Sequence, residues 1–225
     1  MAHQEEPCRI LVMASGNGSN FQALIDAIAG DVIPNSRITR LIVNRAKAFA
    51  TTRAEKAGIP WEYFNMISNG FLAKGEKDEA KTSEARKKYD AALADKILKL
   101  EERPELIVLA GWMWVFSSEF LRPLEEVGIK VINLHPALPG QFDGAHAIER
   151  AYEDLKAGKI QYTGIMVHYV IQEVDRGAPI MIQEIEWEGE DLEALEAKIH
   201  EHEHELIVKA TAKVVREIVE GRKNK

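Results

Sequence analysis

The chain has 225 residues, 46% of them hydrophobic and 29% charged, and its formal net charge is -7. This length and composition support one substantial hydrophobic core in a water-soluble protein. The acidic balance argues against a protein that wraps nucleic acid or lies on an anionic membrane. Cys8 is the only cysteine, which excludes an intramolecular disulfide and a thiolate metal cluster.

The sequence lacks targeting and membrane-spanning patterns. No stretch approaches the roughly 20 apolar residues that a membrane span needs. Residues 1–7 lack the basic region and the apolar run of a secretory signal. We therefore expect a cytoplasmic enzyme or binding protein that acts on neither nucleic acid nor membranes.

The first half of the chain alternates predicted strands and helices. Residues 9–14 are an unbroken apolar run, as in a strand that is buried on both faces. A glycine-containing turn, residues 15–20, leads directly into residues 21–29, whose apolar positions have helical spacing. The following predicted elements are a strand at 38–43, a helix at 49–57, a strand at 61–64, an exposed excursion at 65–82, a helix from Ser83, a strand at 106–110, an aromatic loop at 111–116 and a short helix at 117–121.

The glycine-containing turn has two interpretations. Backbone amides of such a turn, with a helix N-terminus behind them, bind a phosphate, and Ser19 and Asn20 add polar side chains. The alternative is a tight turn that merely needs glycine. The turn is not the dinucleotide-binding fingerprint, because Phe21 occupies the third glycine position.

A fifth predicted strand, residues 131–135, carries Asn133 and His135 on one face and ends at Pro136. Such a pair either consists of structural polar groups or donates hydrogen bonds and moves a proton. Beyond it we predict turn material at 139–144, a helix at 147–157, an antiparallel strand pair at 163–170 and 180–186, and a long helix at 191–220.

The long C-terminal helix has one apolar stripe with a carboxylate, Glu203, near its middle. A carboxylate on a core-facing stripe is costly unless it has a partner. His200 and His204 lie four residues apart, a spacing that a metal site could use, but a solvated charged face is the plainer interpretation. We therefore expect no bound metal.

Strands alternating with helices predict an α/β fold with a mostly parallel, twisted sheet. The strand ends at Ala14, Ala110 and His135 then open on one rim, which brings the glycine-containing turn, the aromatic loop and the Asn–His pair to one crevice. Asp175 lies in the loop between the antiparallel strands. Because no serine or cysteine is placed as a nucleophile, the set indicates direct attack of one bound substrate on another. Asn133 and His135 would stabilise an oxyanion, and Asp175 would handle the proton.

Three segments resemble a known family. They are Gly-Asn-Gly-Ser-Asn at 16–20, Asn-Leu-His-Pro-Ala-Leu at 133–138, and Val-His-Tyr-Val at 167–170 with Val174 and Asp175. Their order and spacing closely resemble the phosphoribosylglycinamide formyltransferase family, folate-dependent enzymes of purine biosynthesis, over residues 9–220. The second segment and Asp175 are shared with the wider superfamily that uses 10-formyltetrahydrofolate. The first segment is more particular to this branch and to a related deformylase.

The resemblance implies the formyltransferase fold in a single domain, 1–225. Residues 1–8 are then an N-terminal extension, 9–135 a Rossmann-like, nucleotide-binding half, and 136–225 a folate-binding and catalytic half with the antiparallel strands and the long C-terminal helix. The implied reaction transfers the formyl group of 10-formyltetrahydrofolate, a co-substrate, to the amine of glycinamide ribonucleotide. These two small molecules are the implied partners, no metal is required, and the protein is expected to be a monomer or a homodimer.

The same resemblance implies the site residues. The ribonucleotide site matches Gly18, Ser19, Asn20, His200 and Glu203. The folate site matches Arg86, Met113, Trp114, Val115, Phe116, Ile171, Gln172, Glu173, Val174 and Asp175. The catalytic set is Asn133, His135 and Asp175, with His168 as a supporting group. Asp175 is expected to favour a protonated His135, which meets the oxyanion.

The sequence departs from the family pattern at three places, and other families share part of that pattern. Trp114 stands where related sequences often carry a basic residue, the loop at 140–146 resembles that of stand-alone fungal enzymes, and the stretch 65–83 is longer than usual. The nearest rival, formyltetrahydrofolate deformylase, usually carries an extra domain before its catalytic domain, and here eight residues precede the first predicted strand. Methionyl-tRNA formyltransferase needs a further domain and a basic surface. A non-catalytic nucleotide-binding module would use only the glycine-containing turn.

Overall fold

The computed structural model describes residues 6–223, so residues 1–5 of the predicted extension lie outside the described residues. The strands are β1 (Cys8–Ala14), β2 (Ser36–Val43), β3 (Trp61–Tyr63), β4 (Leu106–Leu109), β5 (Lys130–His135), β6 (Tyr162–Tyr169) and β7 (Pro179–Glu186). The helices are α1 (Ser19–Ala29), α2 (Ala50–Lys56), α3 (Glu79–Leu98), α4 (Ser118–Glu126), α5 (Ala147–Lys156) and α6 (Leu192–Lys223). Strands and helices alternate as predicted.

All of these strands form one sheet in the order β3-β2-β1-β4-β5-β6-β7. The pairs from β3 to β5 are parallel, and β6 is antiparallel to both β5 and β7. This confirms the predicted α/β fold with its antiparallel late strands and long C-terminal helix. Met13, Leu109, Asn133 and His168 align across four neighbouring strands. Strands β1, β4 and β5 therefore end together, at what we name the carboxyl edge.

Helices cover both faces of the sheet, because successive strand residues point to opposite faces. On one face, Ile10 and Val12 of β1 pack with side chains of α1, α2, α5 and α6. On the other face, Leu11 and Met13 pack with side chains of α3 and α4. Each fully buried large apolar side chain contributes roughly 1.5–3 kcal/mol. Burial on both faces explains the unbroken apolar run of β1.

Helix α3 begins earlier than its apolar pattern predicts. It starts at Glu79 rather than Ser83, because the Asp78 carboxylate caps it by accepting a hydrogen bond from the Lys81 N–H at 3.0 Å. Its first buried residue is Ala85. A pattern of apolar residues therefore carries no signal for the first turn of this helix.

The excursion after β3 is less exposed than predicted. Met66 is buried, and the Phe71 ring meets the Tyr89 ring edge-on, with centroids 5.7 Å apart. The Tyr89 hydroxyl in turn donates to the Phe64 carbonyl oxygen at 2.9 Å. The prediction of an exposed segment is wrong for Met66, Phe71 and Leu72, which join the cluster around α3 and α4, whereas Ile67 is exposed.

Helices α4 and α6 both run past their predicted ends. Helix α4 continues to Glu126 and buries Leu124, and α6 continues to Lys223. The predicted apolar stripe of α6 is buried along most of its length, and Glu203 within it is only 6% exposed. Within residues 6–223, no helix combines the length and the apolar character that crossing a membrane requires.

Candidate active site

Asp175 is the centre of a buried polar cluster at the carboxyl edge. Its Oδ1 lies 3.5 Å from Asn133 Nδ2 and 3.4 Å from His168 Nε2, and its Oδ2 lies 3.4 Å from His135 Nδ1. The Asp175 side chain is only 9% exposed, and both histidine side chains are more deeply buried. The structure therefore brings together the four residues that the sequence assigned to the catalytic set.

The loop after β6 folds back so that Asp175 reaches these side chains. Asp175 has a positive φ of 54°, which is uncommon for a residue other than glycine. Gly177 packs so tightly that a Cβ there would lie 1.6 Å from the Tyr169 carbonyl oxygen. The requirement for glycine at this position is therefore one of space. The Gly144 N–H completes the placement by donating to Asp175 Oδ2 at 2.8 Å.

The electrostatic environment keeps Asp175 ionised. Burial raises the pKa of the Asp175 carboxyl. The hydrogen bond to His168, the Gly144 N–H and the charge of His135 lower that pKa by more than burial raises it, so the pKa lies below its usual value. Tyr169 offers its carbonyl oxygen to His168 Nδ1 at 2.9 Å. On the other side of the ring, His168 Nε2 faces Asp175 and Asn133.

The surroundings of His135 favour its neutral form in the free protein. Burial lowers its pKa, and the opposing attraction of Asp175 is too weak to restore it. The imidazolium expected from the sequence is the form that meets the oxyanion during the reaction, so the free protein does not test that expectation. The Nε2 atom of His135 is buried and has no hydrogen-bond partner among residues 6–223.

The glycine-containing turn lies beside the start of α1 and contacts α2. Gly18 has a φ of 75°, and a Cβ there would lie 2.7 Å from the Ala50 Cβ, so this position requires glycine for both conformation and space. Arg53 fixes the turn by donating to the Asn17 carbonyl oxygen at 3.0 Å and to its side-chain oxygen at 2.8 Å. The first N–H groups of α1, from Ser19 onward, point out of the helix without intrahelical acceptors. This arrangement favours the anion-site interpretation.

Glu203 has the hydrogen-bond partners that a carboxylate on an apolar stripe requires. It accepts from Asn20 Nδ2 at 3.3 Å and from His200 Nδ1 at 2.9 Å, which joins α6 to the start of α1. The Asn20 side-chain oxygen is buried and has no partner within the described chain. Three residues predicted for the ribonucleotide site therefore form one cluster. Among residues 6–223, no group of three or more His, Cys, Asp or Glu side chains is arranged to hold a metal.

The residues predicted for the folate site in the aromatic loop after β4 differ in their exposure. The Arg86 guanidinium lies over the Trp114 ring, 4.8 Å from its centroid, and Met113 and Val115 are exposed. Phe116 instead is buried and stacks on Phe120 and Trp112, with centroids 3.8 and 5.7 Å apart. Phe116 therefore has a core role, and only the loop before it offers side chains to a ligand.

The second group of predicted folate residues lies in the loop between β6 and β7. Ile171, Gln172, Glu173 and Val174 are exposed there, directly before the buried Asp175 side chain. Val170, at the start of this loop, donates from its N–H to the Val131 carbonyl oxygen of β5 at 2.9 Å. The loop is thus anchored at its start on β5, the strand that carries Asn133 and His135. Farther along the loop, the buried Asp175 side chain anchors it in the polar cluster.

Sequence reasoning missed the contacts that join the 140s loop to the Asp175 loop. Besides the Gly144 N–H bond, Arg176 pairs with Asp143 at 2.6 Å. Arg150 holds the 140s loop in shape by donating to the carbonyl oxygens of Phe142, Asp143 and Ala145. These contacts depend on the approach of loops about thirty positions apart in the chain, for which a local pattern carries no signal.

A cleft of about 610 Å³ lies at the opposite edge of the sheet, lined in part by Arg9, Arg37 and Glu102. Arg37 pairs with Glu102, and Arg9 pairs with Glu6 and Glu105. These charges neutralise one another. The residues named here also have no buried polar atom without a hydrogen-bond partner, in contrast to the carboxyl edge. The carboxyl edge is therefore the better candidate site.

Comparisons with known proteins point to the same chemistry. The formyl transferase family model matches residues 8–211. Phosphoribosylglycinamide formyltransferase of Schizosaccharomyces pombe is 47% identical over 208 residues, covering 92% of this chain and 96% of the relative. The Saccharomyces cerevisiae enzyme of that name is 42% identical over 217 residues, covering 93% and 98%. A crystal structure of glycinamide ribonucleotide transformylase 1 from Symbiobacterium toebii has a TM-score of 0.76 at 28% identity, covering 99% of this chain and 92% of that one. The chain belongs to the formyl transferase family.

Proposed function

We propose that this protein transfers the formyl group of 10-formyltetrahydrofolate to the amine of N1-(5-phospho-D-ribosyl)glycinamide, a step of purine biosynthesis. The observation that carries the proposal is the convergence of Asn133, His135 and His168 on Asp175 beside the glycine-containing turn. The names of the relatives support the same reaction. The proposal requires two small-molecule substrates and no metal.

The acceptor ribonucleotide is proposed to bind between α1 and α6. Its phosphate meets the N–H groups of Gly18, Ser19 and Asn20 at the helix N-terminus, and Glu203 and His200 contact the rest of the molecule. Asn133 lies two strands from Met13, a separation of about 10 Å at the usual strand spacing. That span is short enough for a ribosyl glycinamide to reach from the turn to the catalytic cluster.

The donor folate is proposed to lie between the aromatic loop and the loop before Asp175. The stacked pair of Arg86 and Trp114 forms one wall, with a planar ring and a fixed positive charge. Exposed apolar side chains at Val115, Ile171 and Val174 offer the other contacts. In this proposal the formyl group lies near the side chains of Asn133 and His135.

The chemistry that this geometry supports is direct attack. The glycinamide nitrogen forms a bond to the formyl carbon, and the developing oxyanion accepts a hydrogen bond from Asn133 Nδ2. Neutral His135 takes the amine proton at Nε2, and the carboxylate of Asp175 stabilises the resulting imidazolium. The C–N10 bond then breaks as that proton passes to N10, which regenerates neutral His135 and releases tetrahydrofolate.

Donor turnover with and without the acceptor tests this function. The purified protein is mixed with 10-formyltetrahydrofolate, and tetrahydrofolate formation is followed with and without the ribonucleotide. We expect turnover only when both are present. Turnover without the acceptor would instead support the deformylase, and no turnover in either mixture would leave a binding module.

Replacing Glu203 by alanine is expected to weaken acceptor binding much more than donor binding. The change removes a buried carboxylate that orders Asn20 and His200, and a charged hydrogen bond contributes about 1.5–3 kcal/mol. Ribonucleotide affinity should therefore fall about 10- to 100-fold, while donor affinity changes less than about twofold. Separate calorimetric titrations measure both. Glu201→Ala, an exposed neighbour on α6, is the control, and equal losses for both ligands would reduce Glu203 to a structural role.

Acceptor affinity is also expected to depend on the charge of His200. The hydrogen bond to Glu203 raises the pKa of His200 above its ordinary value of 6.5. The imidazolium therefore persists above pH 6.5 and is lost as the pH rises through the raised pKa. Ribonucleotide affinity should decline over that interval, because a cation that contacts the anionic ribonucleotide loses its charge. His200→Gln keeps a hydrogen-bond donor without titrating, so its affinity should lack this decline; an identical pH dependence in both proteins would refute the assignment.

A further inference from the structure

We propose that Ser15 is a positioning residue that couples the two substrate sites. Ribonucleotide binding at the glycine-containing turn would, through Ser15, order the aromatic loop at residues 111–116 and tighten folate binding. This inference rests on the proposed function, because it takes the turn as the acceptor site and the loop as part of the donor site.

Ser15 holds the aromatic loop by two hydrogen bonds. Its N–H donates to the Gly111 carbonyl oxygen at 3.0 Å, and its hydroxyl oxygen accepts from the Met113 N–H at 2.9 Å. Ser15 is 1% exposed, so water does not replace these bonds readily. The Met113 side chain, by contrast, is 63% exposed. The loop is thus anchored through its backbone while its side chains stay available to a ligand.

Ser15 is also the residue directly before the glycine-containing turn. The turn itself is braced on α2, since the Gly16 carbonyl oxygen accepts from the Ala50 N–H at 3.2 Å and Gly18 packs against Ala50. A phosphate that orders residues 18–20 therefore restricts Ser15 through a short, braced segment. Restricting Ser15 also restricts Gly111 and Met113. The loop then loses less conformational entropy when folate binds, so folate binds more tightly.

The far end of the aromatic loop provides a matched comparison. Ser117 donates from both its N–H and its hydroxyl to the buried Asp90 carboxylate, each at 2.7 Å. Asp90 belongs to α3, away from the glycine-containing turn. Ser117 and Ser15 therefore anchor the same loop through a hydroxyl group, but only Ser15 is continuous with the turn. Removing either hydroxyl loosens the loop, but only removal of the Ser15 hydroxyl breaks a bond between the loop and the turn, leaving the backbone bond to Gly111.

Calorimetric titration of tetrahydrofolate, a donor product that cannot react with the acceptor, measures the coupling. For the wild-type protein, saturating ribonucleotide should tighten tetrahydrofolate binding about fivefold or more. Ser15→Ala should weaken tetrahydrofolate binding and reduce this ratio, because only the backbone bond to Gly111 remains. Ser117→Ala should weaken binding and keep the ratio, and Ser15→Thr, which retains the hydroxyl, should keep it as well. An unchanged ratio in Ser15→Ala, or a ratio of one in the wild type, would overturn the inference.

Hydrogen exchange on the unaltered protein gives a second readout that no folding defect can confuse. Ribonucleotide alone should slow amide exchange at residues 111–116, with the Met113 N–H most affected. Unchanged exchange in a wild-type protein that still transfers formyl groups would refute the coupling and leave the proposed function standing. Failure of the wild-type protein to transfer formyl groups would instead refute the proposed function.

Discussion

Asp175→Asn should lower kcat for formyl transfer by about 10²- to 10⁴-fold, the range expected when a group that assists proton transfer is lost. The substitution preserves size, but it removes the negative charge that lies 3.4 Å from His135 Nδ1. An imidazolium formed during the reaction then has no counter-charge. Ribonucleotide affinity should change by less than about twofold, because the turn at 16–20 and Glu203 are untouched. Steady-state kinetics and acceptor titration measure the two quantities.

Glu184→Gln is the control for this experiment. Glu184 lies on β7, the strand that follows the Asp175 loop, and is exposed, so the control tests whether removing any carboxylate charge affects the rate. We expect nearly wild-type kcat in the control. Near-normal kcat in Asp175→Asn would contradict the assigned role, and a large loss of ribonucleotide affinity would point to a collapsed loop.

His135→Ala should likewise lower kcat by about 10²- to 10⁴-fold while ribonucleotide affinity is largely retained. The change removes Nε2, the buried atom without a partner that is proposed to carry the proton. Because His135 is only 4% exposed, His135→Gln serves as a second variant that fills more of the space. His146→Ala is the control, since that side chain is 75% exposed in the adjacent loop.

The pH dependence of the wild type distinguishes the proton role of His135 from a packing role. Its pKa is lowered below 6.5 in the folded protein, so the neutral form persists at pH 6.5 and is lost only as the pH falls further. Activity should hold at pH 6.5 and decline below it, and the residual activity of His135→Gln should lack that decline. If the activity of both proteins declined equally below pH 6.5, the titrating group would be a residue other than His135.

Local rules were sufficient to predict the core of the site. Asn133 and His135 are two residues apart on a strand, so period-two geometry puts them on one face whatever surrounds them. Glu203 interrupts an apolar stripe of period 3.6, and such a carboxylate needs a buried partner, which the structure supplies in Asn20 and His200. The mostly parallel pairing of the early strands followed from their alternation with helices. Each inference depended on one periodicity and needed no distant contact.

Features that depend on distant segments could not be predicted in this way. The placement of Asp175 depends on the Gly144 N–H and on the tight packing of Gly177 against Tyr169. The charge of His135 depends on a balance between burial and the Asp175 carboxylate, which a sequence does not weigh. The role of Ser15 depends on β4 lying beside β1, so that the aromatic loop starts next to the turn.

The fate of the formyl carbon tests the central claim most directly. The protein is given 10-formyltetrahydrofolate carrying ¹³C in the formyl group together with glycinamide ribonucleotide, and the products are separated by mass and by NMR. Direct transfer predicts that the label appears in the N-formyl ribonucleotide, in equal amount to the tetrahydrofolate released, and that Asp175→Asn nearly abolishes it. Label recovered as free formate, with the ribonucleotide unchanged, would contradict the account.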